Sequence, residues 1–240
     1  MKNILIVFSV MFLLVWGSNA NALTVNYLPS PAQTTAGVYA YATTFDMMAG
    51  MSVKVTWGDD SISDFTWSSP GGLAGGVSDL GGFTLGSIGD SYSQSWVLGI
   101  LEPYTSKTIQ SIFIDAGTGN AVFDVLKETE GTANSGAGYP FTVTNSTGNF
   151  DITATYSGAV QIGGAAPVGD LYRYLNIDFT STAANYQGYF GVGDYLTFRA
   201  DTDNLMYEND IAPVPEPATM LLLGTGFAGL IGFRLRKKKK

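Results

Sequence analysis

The sequence predicts an all-β protein whose body is a β-sandwich of jelly-roll-like type, and three observations support this fold class. Of the 240 residues, 30 are glycine and only 13% are charged, which is typical of a turn-rich chain and not of a helical one. Short segments of alternating apolar and polar residues recur through the body,. Turn-forming residues separate these segments. A closed β-barrel is the alternative arrangement.

The predicted strands follow one another along residues 23–211, which we interpret as one domain. Alternation is strongest at residues 51–57, 150–156 and 175–179, where every second side chain is apolar. Weaker candidates are residues 38–45, 62–67, 96–101, 108–116, 121–126, 159–162 and 195–200. The glycine-rich tract from Ser69 to Gly89 is predicted as a long loop,. We therefore expect about ten to twelve short strands in this domain.

Composition excludes several classes of function. The chain has no cysteine and no histidine, which excludes disulfide frameworks, the usual zinc sites and Ser-His-Asp or Cys-His catalysis. All 20 acidic residues lie between Asp46 and Glu216, and seven of the 12 basic residues lie near the two ends. The body therefore has no basic stripe to neutralise phosphates. We expect no nucleic-acid partner, and we expect that the protein is not an enzyme.

The N-terminal segment, residues 1–22, has the pattern of a signal peptide. Lys2 precedes the apolar stretch Ile4–Trp16, and Ala20-Asn21-Ala22 forms a small-residue cleavage site,. The apolar stretch is shorter than the ~20 residues that span a bilayer, which argues against the alternative of an uncleaved anchor. We expect the secretion machinery to export the chain and signal peptidase to cleave after Ala22.

The C-terminal segment, residues 212–240, predicts a membrane anchor. Three prolines at alternating positions end at Pro217 and favour an extended linker. Residues 218–233 are uncharged and mostly apolar, and they are interpreted as a short single transmembrane helix. A basic stop-transfer tail follows, formed by Arg234, Arg236, Lys237, Lys238, Lys239 and Lys240. The positive-inside rule places this tail in the cytoplasm and the acidic body outside.

The order of these C-terminal features resembles the PEP-CTERM protein-sorting signal of Gram-negative bacteria. The motif Val214-Pro215-Glu216-Pro217 is followed by the apolar stretch and the Arg/Lys cluster at the extreme C-terminus. The resemblance implies recognition of Pro215, Glu216 and Pro217 by an exosortase, a membrane-embedded protease or transpeptidase-like enzyme. It also implies an inner-membrane precursor with a periplasmic ectodomain that is later delivered to the cell surface or extracellular matrix, in the setting of exopolysaccharide and biofilm.

One acidic motif in the body is a candidate metal site. Asp201, Asp203 and Asn204 lie close together after a predicted strand, and carboxylate and amide oxygens are ligands that Ca²⁺ prefers. Another acid, for instance Asp115 or Asp124, would have to complete the shell. The alternative is a solvated turn in which Asp and Asn bond their own backbone. No other cofactor is expected.

The sequence thus predicts an exported structural protein of the surface or matrix, and it leaves two rivals. The first is a Ca²⁺-dependent carbohydrate-binding module with an aromatic stacking face, although aromatic residues on strands also form cores. The candidate face consists of Trp57, Trp67, Trp96, Tyr186, Tyr189 and Tyr195. The second rival is a carboxylate-based polysaccharide hydrolase, which needs two carboxyl groups flanking a sugar cleft.

Overall fold

The computed structural model describes residues 22–30, 32–40, 42–78, 82–100, 107–127, 131–148, 150–163, 168–181, 189–205 and 212–213. Within these ranges the chain forms strands and two one-turn 3-10 helices, Phe45–Met48 and Ala116–Gly119. The strands are β1 (Leu23–Leu28), β2 (Gln33–Thr35), β3 (Val38–Ala40), β4 (Ser52–Trp57), β5 (Ile62–Thr66), β6 (Ser68–Gly71), β7 (Ala74–Ser78), β8 (Phe83–Ile88), β9 (Trp96–Ile100), β10 (Ile109–Asp115), β11 (Ala121–Asp124), β12 (Thr142–Thr147), β13 (Phe150–Ile162), β14 (Leu171–Ser181), β15 (Tyr195–Arg199), β16 (Asp201–Leu205) and β17 (Ala212–Pro213).

These described strands form two sheets. The larger sheet has 11 strands, with the order β17-β2-β13-β14-β10-β4-β5 along its main path. Off this path, β1 pairs with β13. β14 also pairs with β11, β11 pairs with β16, and β16 pairs with β3. The second sheet has six strands in the order β12-β15-β9-β8-β7-β6. β1 and β2 both run parallel to β13, which departs from the all-antiparallel pairing expected of a jelly-roll-like arrangement.

The two sheets share one hydrophobic core. On β4, Val53, Val55 and Trp57 are buried, as the period-2 pattern predicts. Rings from opposite sheets meet there, with centroids 6.1 Å apart for Trp57 and Phe83 and 6.4 Å apart for Trp96 and Phe123. The all-β sandwich predicted from the sequence is therefore confirmed.

The glycine-rich tract is the main correction to the predicted elements. It was expected to be a loop, but it contributes the end of β6 and all of β7 and β8. A Cβ on Gly75 would lie 1.9 Å from the carbonyl oxygen of Phe45, and one on Gly86 would lie 2.5 Å from the carbonyl oxygen of Gly75. These glycines are thus strand residues that let neighbouring backbones approach closely. In the sequence alone, such a glycine-rich strand has the same composition as a loop.

Two shorter predictions also need correction. The candidate strand at residues 38–45 ends at Ala40, and Phe45 begins a 3-10 helix. The Asp201–Asn204 motif, for which a solvated turn was the alternative, lies within β16. β16 pairs with both β11 and β3, and all five of its residues are buried.

No helix in the described part of the chain has the length and apolar character needed to cross a membrane. The transmembrane helix predicted at residues 218–233 lies outside the described residues.

Candidate functional site

Two neighbouring strands bring three carboxylates together at one place in the larger sheet. The antiparallel register of β11 and β16 sets Asp124 opposite Asp201 and Val122 opposite Asp203. Residues opposite each other, and residues two apart on one strand, share a face of the sheet. One oxygen from each of the three carboxylates lies within 4.8 Å of the others. We call Asp124, Asp201 and Asp203 the acidic cluster.

The acidic cluster is closed off from solvent. Asp124 and Asp201 are each 1% exposed and Asp203 is 0% exposed. The segment that follows β11, residues 131–141, packs against it. The backbone N–H of Tyr139 donates to the Asp124 carbonyl at 3.0 Å, and the Asp201 N–H donates to the Tyr139 carbonyl at 2.8 Å. A Cβ on Gly138 would lie 2.2 Å from the Asp124 carboxyl carbon, so this contact requires glycine.

Hydrogen bonds satisfy only part of the acidic cluster. The Ser135 hydroxyl lies 2.8 Å from Asp124 Oδ2 and also contacts Asp203 Oδ2. Asp201 Oδ1 accepts from the Ser91 hydroxyl at 2.7 Å and from the Thr202 N–H at 2.8 Å. Within the described residues Asp203 Oδ1 is buried and has no hydrogen-bond partner. An oxygen of this kind is costly to bury.

No positive side chain within the described ranges forms an ion pair with the acidic cluster. The ion pairs found there are Lys54 with Asp64, and Arg173 with Asp115. A further buried carboxylate, Asp170, lies close by, and it accepts a hydrogen bond at 2.9 Å from the Thr132 hydroxyl. The site thus brings carboxyl groups together without a counter-charge from the described side chains.

This environment shifts the titration of all three carboxyl groups. Burial raises the pKa of Asp124 to about 6, of Asp201 to about 8 and of Asp203 to about 9. Hydrogen bonds from Ser135 and Ser91 oppose these shifts in pKa, and repulsion from neighbouring carboxylates, including Asp170, adds to them,.

The structure brings some of the residues predicted as metal ligands together and places others elsewhere. It brings Asp201 and Asp203 together and adds Asp124, one of the two acids named as completing the shell. It does not bring Asn204 to them, because Asn204 Oδ1 accepts from the Thr43 hydroxyl at 2.9 Å and its Nδ2 donates to the Met47 carbonyl at 3.2 Å. Asp115 is also elsewhere, since Arg173 Nε donates to it at 2.6 Å.

Two neighbours of the acidic cluster were not found from the sequence. Ser135 and Asp170 lie outside the strands, next to Gly136 and Gly169. Nothing in their spacing relates them to Asp203. Only the fold shows that the segment containing Ser135 covers the site.

The predicted aromatic stacking face is wrong in its tryptophans. Trp57 and Trp67 are 1% exposed and Trp96 is 0% exposed, so all three belong to the core. Tyr195 is 39% exposed, and Tyr186 lies outside the described residues. These three indoles lie in the hydrophobic core, where they cannot stack on a polysaccharide.

The terminal processing signals lie mostly outside the described residues, including Ala20, Pro215, Glu216, Pro217 and the basic tail at residues 234–240. Near the predicted signal cleavage site, Ala22 N–H donates to Asp151 Oδ1 at 2.7 Å, and β1 begins at the next residue, Leu23. Cleavage after Ala22 stays a prediction, and it would leave the whole of β1 in the mature chain.

Comparison with known proteins identifies the C-terminal segment. The family model described as "PEP-CTERM protein-sorting motif" matches residues 213–237. These residues include Pro215, Glu216 and Pro217, the motif on which the resemblance was based. No curated protein and no solved structure matches the chain. The sorting motif implies an exported protein processed by an exosortase. The chain thus carries a PEP-CTERM protein-sorting motif at residues 213–237.

Proposed function

We propose that this protein is a structural component of the cell surface or extracellular matrix, associated with exopolysaccharide and biofilm and delivered there by an exosortase. The observation that supports it best is the PEP-CTERM motif at residues 213–237, which follows an all-β body whose two sheets pack around a shared core.

The proposed route includes a membrane-bound precursor. Residues 218–233 anchor it in the inner membrane, and the basic tail from Arg234 to Lys240 keeps the C-terminus in the cytoplasm,. The body is then in the periplasm. Prolines at 213, 215 and 217 favour an extended linker, and an extended backbone is accessible to a membrane protease.

We propose a binding or structural role rather than catalysis for the body. The carboxylates with the largest pKa shifts, Asp201 and Asp203, are at most 1% exposed. A polysaccharide hydrolase needs its two carboxyl groups at an open cleft that admits a sugar ring. The burial of these two groups beneath the segment 131–141 is therefore an argument against hydrolysis at this site.

The sorting step is tested by Glu216→Ala in the native cell. We expect the precursor to accumulate in the inner membrane, because the substitution removes the acidic residue of the Pro-Glu-Pro motif. Fractionation and intact mass of the retained and released species provide the readout. The matched control is Glu208→Ala, which removes an acidic residue upstream of the matched motif and should leave processing unchanged. Normal release of the Glu216→Ala chain would overturn the proposal.

A further inference from the structure

We propose that the acidic cluster of Asp124, Asp201 and Asp203 binds one Ca²⁺ ion beneath the segment 131–141. The inference concerns the folded body and does not depend on the sorting route. It differs from the ligand set expected from the sequence, since Asn204 is outside it and Asp124, from a different strand, is inside it.

The spacing of the carboxylates suits calcium. Ca²⁺ binds oxygen at 2.3–2.6 Å, so that oxygens on opposite sides of the ion are about 4.6–5.2 Å apart. The three carboxylate oxygens, which lie within 4.8 Å of one another, fit inside such a sphere. Mg²⁺ binds at 2.0–2.1 Å and usually keeps several waters, which a site covered by residues 131–141 accommodates poorly.

Asp203 supplies an independent observation that points to a ligand. Its side chain is 0% exposed, and its Oδ1 has no partner within the described residues. Its other oxygen, Oδ2, contacts the Ser135 hydroxyl. A buried carboxylate oxygen without a donor is strongly unfavourable. A bound cation would satisfy this oxygen.

Ser135 indicates the same need for a positive charge. Its hydroxyl has one hydrogen, yet it lies within hydrogen-bond distance of Asp124 Oδ2 and Asp203 Oδ2. It donates to one of these carboxyl groups at a time, so that when both are ionised the other faces an oxygen lone pair. A divalent ion between the carboxylates removes this repulsion, and Ser135 then orients them.

The proposed ion has a structural consequence. Residues 131–141 connect β11 in the larger sheet with β12 in the second sheet. Ca²⁺ bound under this segment would link the neighbouring strands β11 and β16 of the larger sheet through Asp124, Asp201 and Asp203. Binding to the folded state alone raises stability by mass action.

The test is calcium binding by the full chain, purified in detergent and stripped of divalent ions. Equilibrium dialysis with radioactive Ca²⁺ should show one ion per chain. At a calcium concentration about 100-fold above the dissociation constant, the melting temperature should rise by roughly 5–10 °C. Asp203→Asn should abolish both effects. Asp64→Asn, a surface change at a side chain that is 70% exposed, should leave both unchanged.

Four outcomes would overturn the proposal. These are no bound calcium, calcium binding that persists in Asp203→Asn, an equal rise in melting temperature with Mg²⁺, and loss of the effect in Asp64→Asn. The Mg²⁺ result would indicate general screening of the acidic body. Without divalent ions, Asp203→Asn should melt at or above the temperature of the parent chain, because it removes a buried carboxyl group that must either take up a proton or stay charged on folding. A lower melting temperature would indicate that Asp203 has a different role, which would also contradict the proposal.

Discussion

At the scale of single residues, the acidic cluster makes the stability of the cation-free protein depend on pH. The pKa of Asp124 is raised to about 6, that of Asp201 to about 8 and that of Asp203 to about 9. In the unfolded chain each of these groups has a pKa of about 3.9. At a pH between the unfolded pKa and the folded pKa of a group, the folded state holds a proton that the unfolded state has released. Stability is therefore fully present below about pH 4 and is lost as pH rises towards 9.

We therefore expect the free energy of unfolding to fall between pH 5 and pH 9 when divalent ions are absent. The slope is about 1.4 kcal/mol per pH unit for each proton held only by the folded state. Urea denaturation at several pH values measures it. Asp203→Asn should show a shallower decline, since it has one titrating carboxyl fewer. A free energy of unfolding that is constant or rises over this range would show that the cluster is ionised at little cost.

The sequence indicated the candidate site only in part. Asp201 and Asp203 were found because two acids two residues apart follow an apolar strand. Asn204 was expected to converge with them in a turn, whereas in β16 its side chain lies on the opposite face and bonds Thr43. Asp124 was one of two candidates for the remaining ligand, and the choice between it and Asp115 depends on the pairing of β11 with β16. Long-range pairing of this kind has no local signal.

At the scale of elements, the glycine-rich strands explain why composition alone predicted a loop. Glycine is unfavourable in most strands and common in turns. In β7 it is required by packing, since Gly75 lies against the Phe45 carbonyl, and Trp67 Nε1 donates to that same carbonyl at 2.8 Å. The sequence shows many glycines, but it does not show which backbone approaches them.

This packing leads to a prediction for Gly75→Ala. The new Cβ would lie 1.9 Å from the Phe45 carbonyl oxygen and 2.4 Å from Trp67 Nε1, so β7 and the 3-10 helix at Phe45–Met48 must separate. We expect a loss of about 3 kcal/mol or more in the free energy of unfolding, measured by urea denaturation. Gly99→Ala is the control, because its Cβ would meet only Thr84 Oγ1, at 3.5 Å. Equal losses in the two variants would contradict this account of β7.

At the scale of the whole molecule, the class of fold could be predicted and the order of the strands could not. Alternation at residues 51–57 and 150–156 reports burial of one face, which any sandwich satisfies. The pairing of β1 with β13 joins residues that are 129 positions apart, such as Asn26 and Thr155. The pairing register of such distant strands depends on how the complete core packs, so it could not be predicted from the local pattern of a single sequence.

The two proposals also make a joint prediction for the whole molecule, because the sorting motif and the acidic cluster occupy separate parts of the sequence. The family match begins at residue 213, whereas the cluster residues lie between Asp124 and Asp203. The Glu216→Ala precursor should therefore still bind one Ca²⁺ ion per chain. The Asp203→Asn chain should still be released from the inner membrane, with the mass expected for cleavage after Ala22 and near Pro217. If Asp203→Asn were instead retained as the full precursor, folding of the body around its ion would have to precede exosortase processing, and the two functions would be coupled.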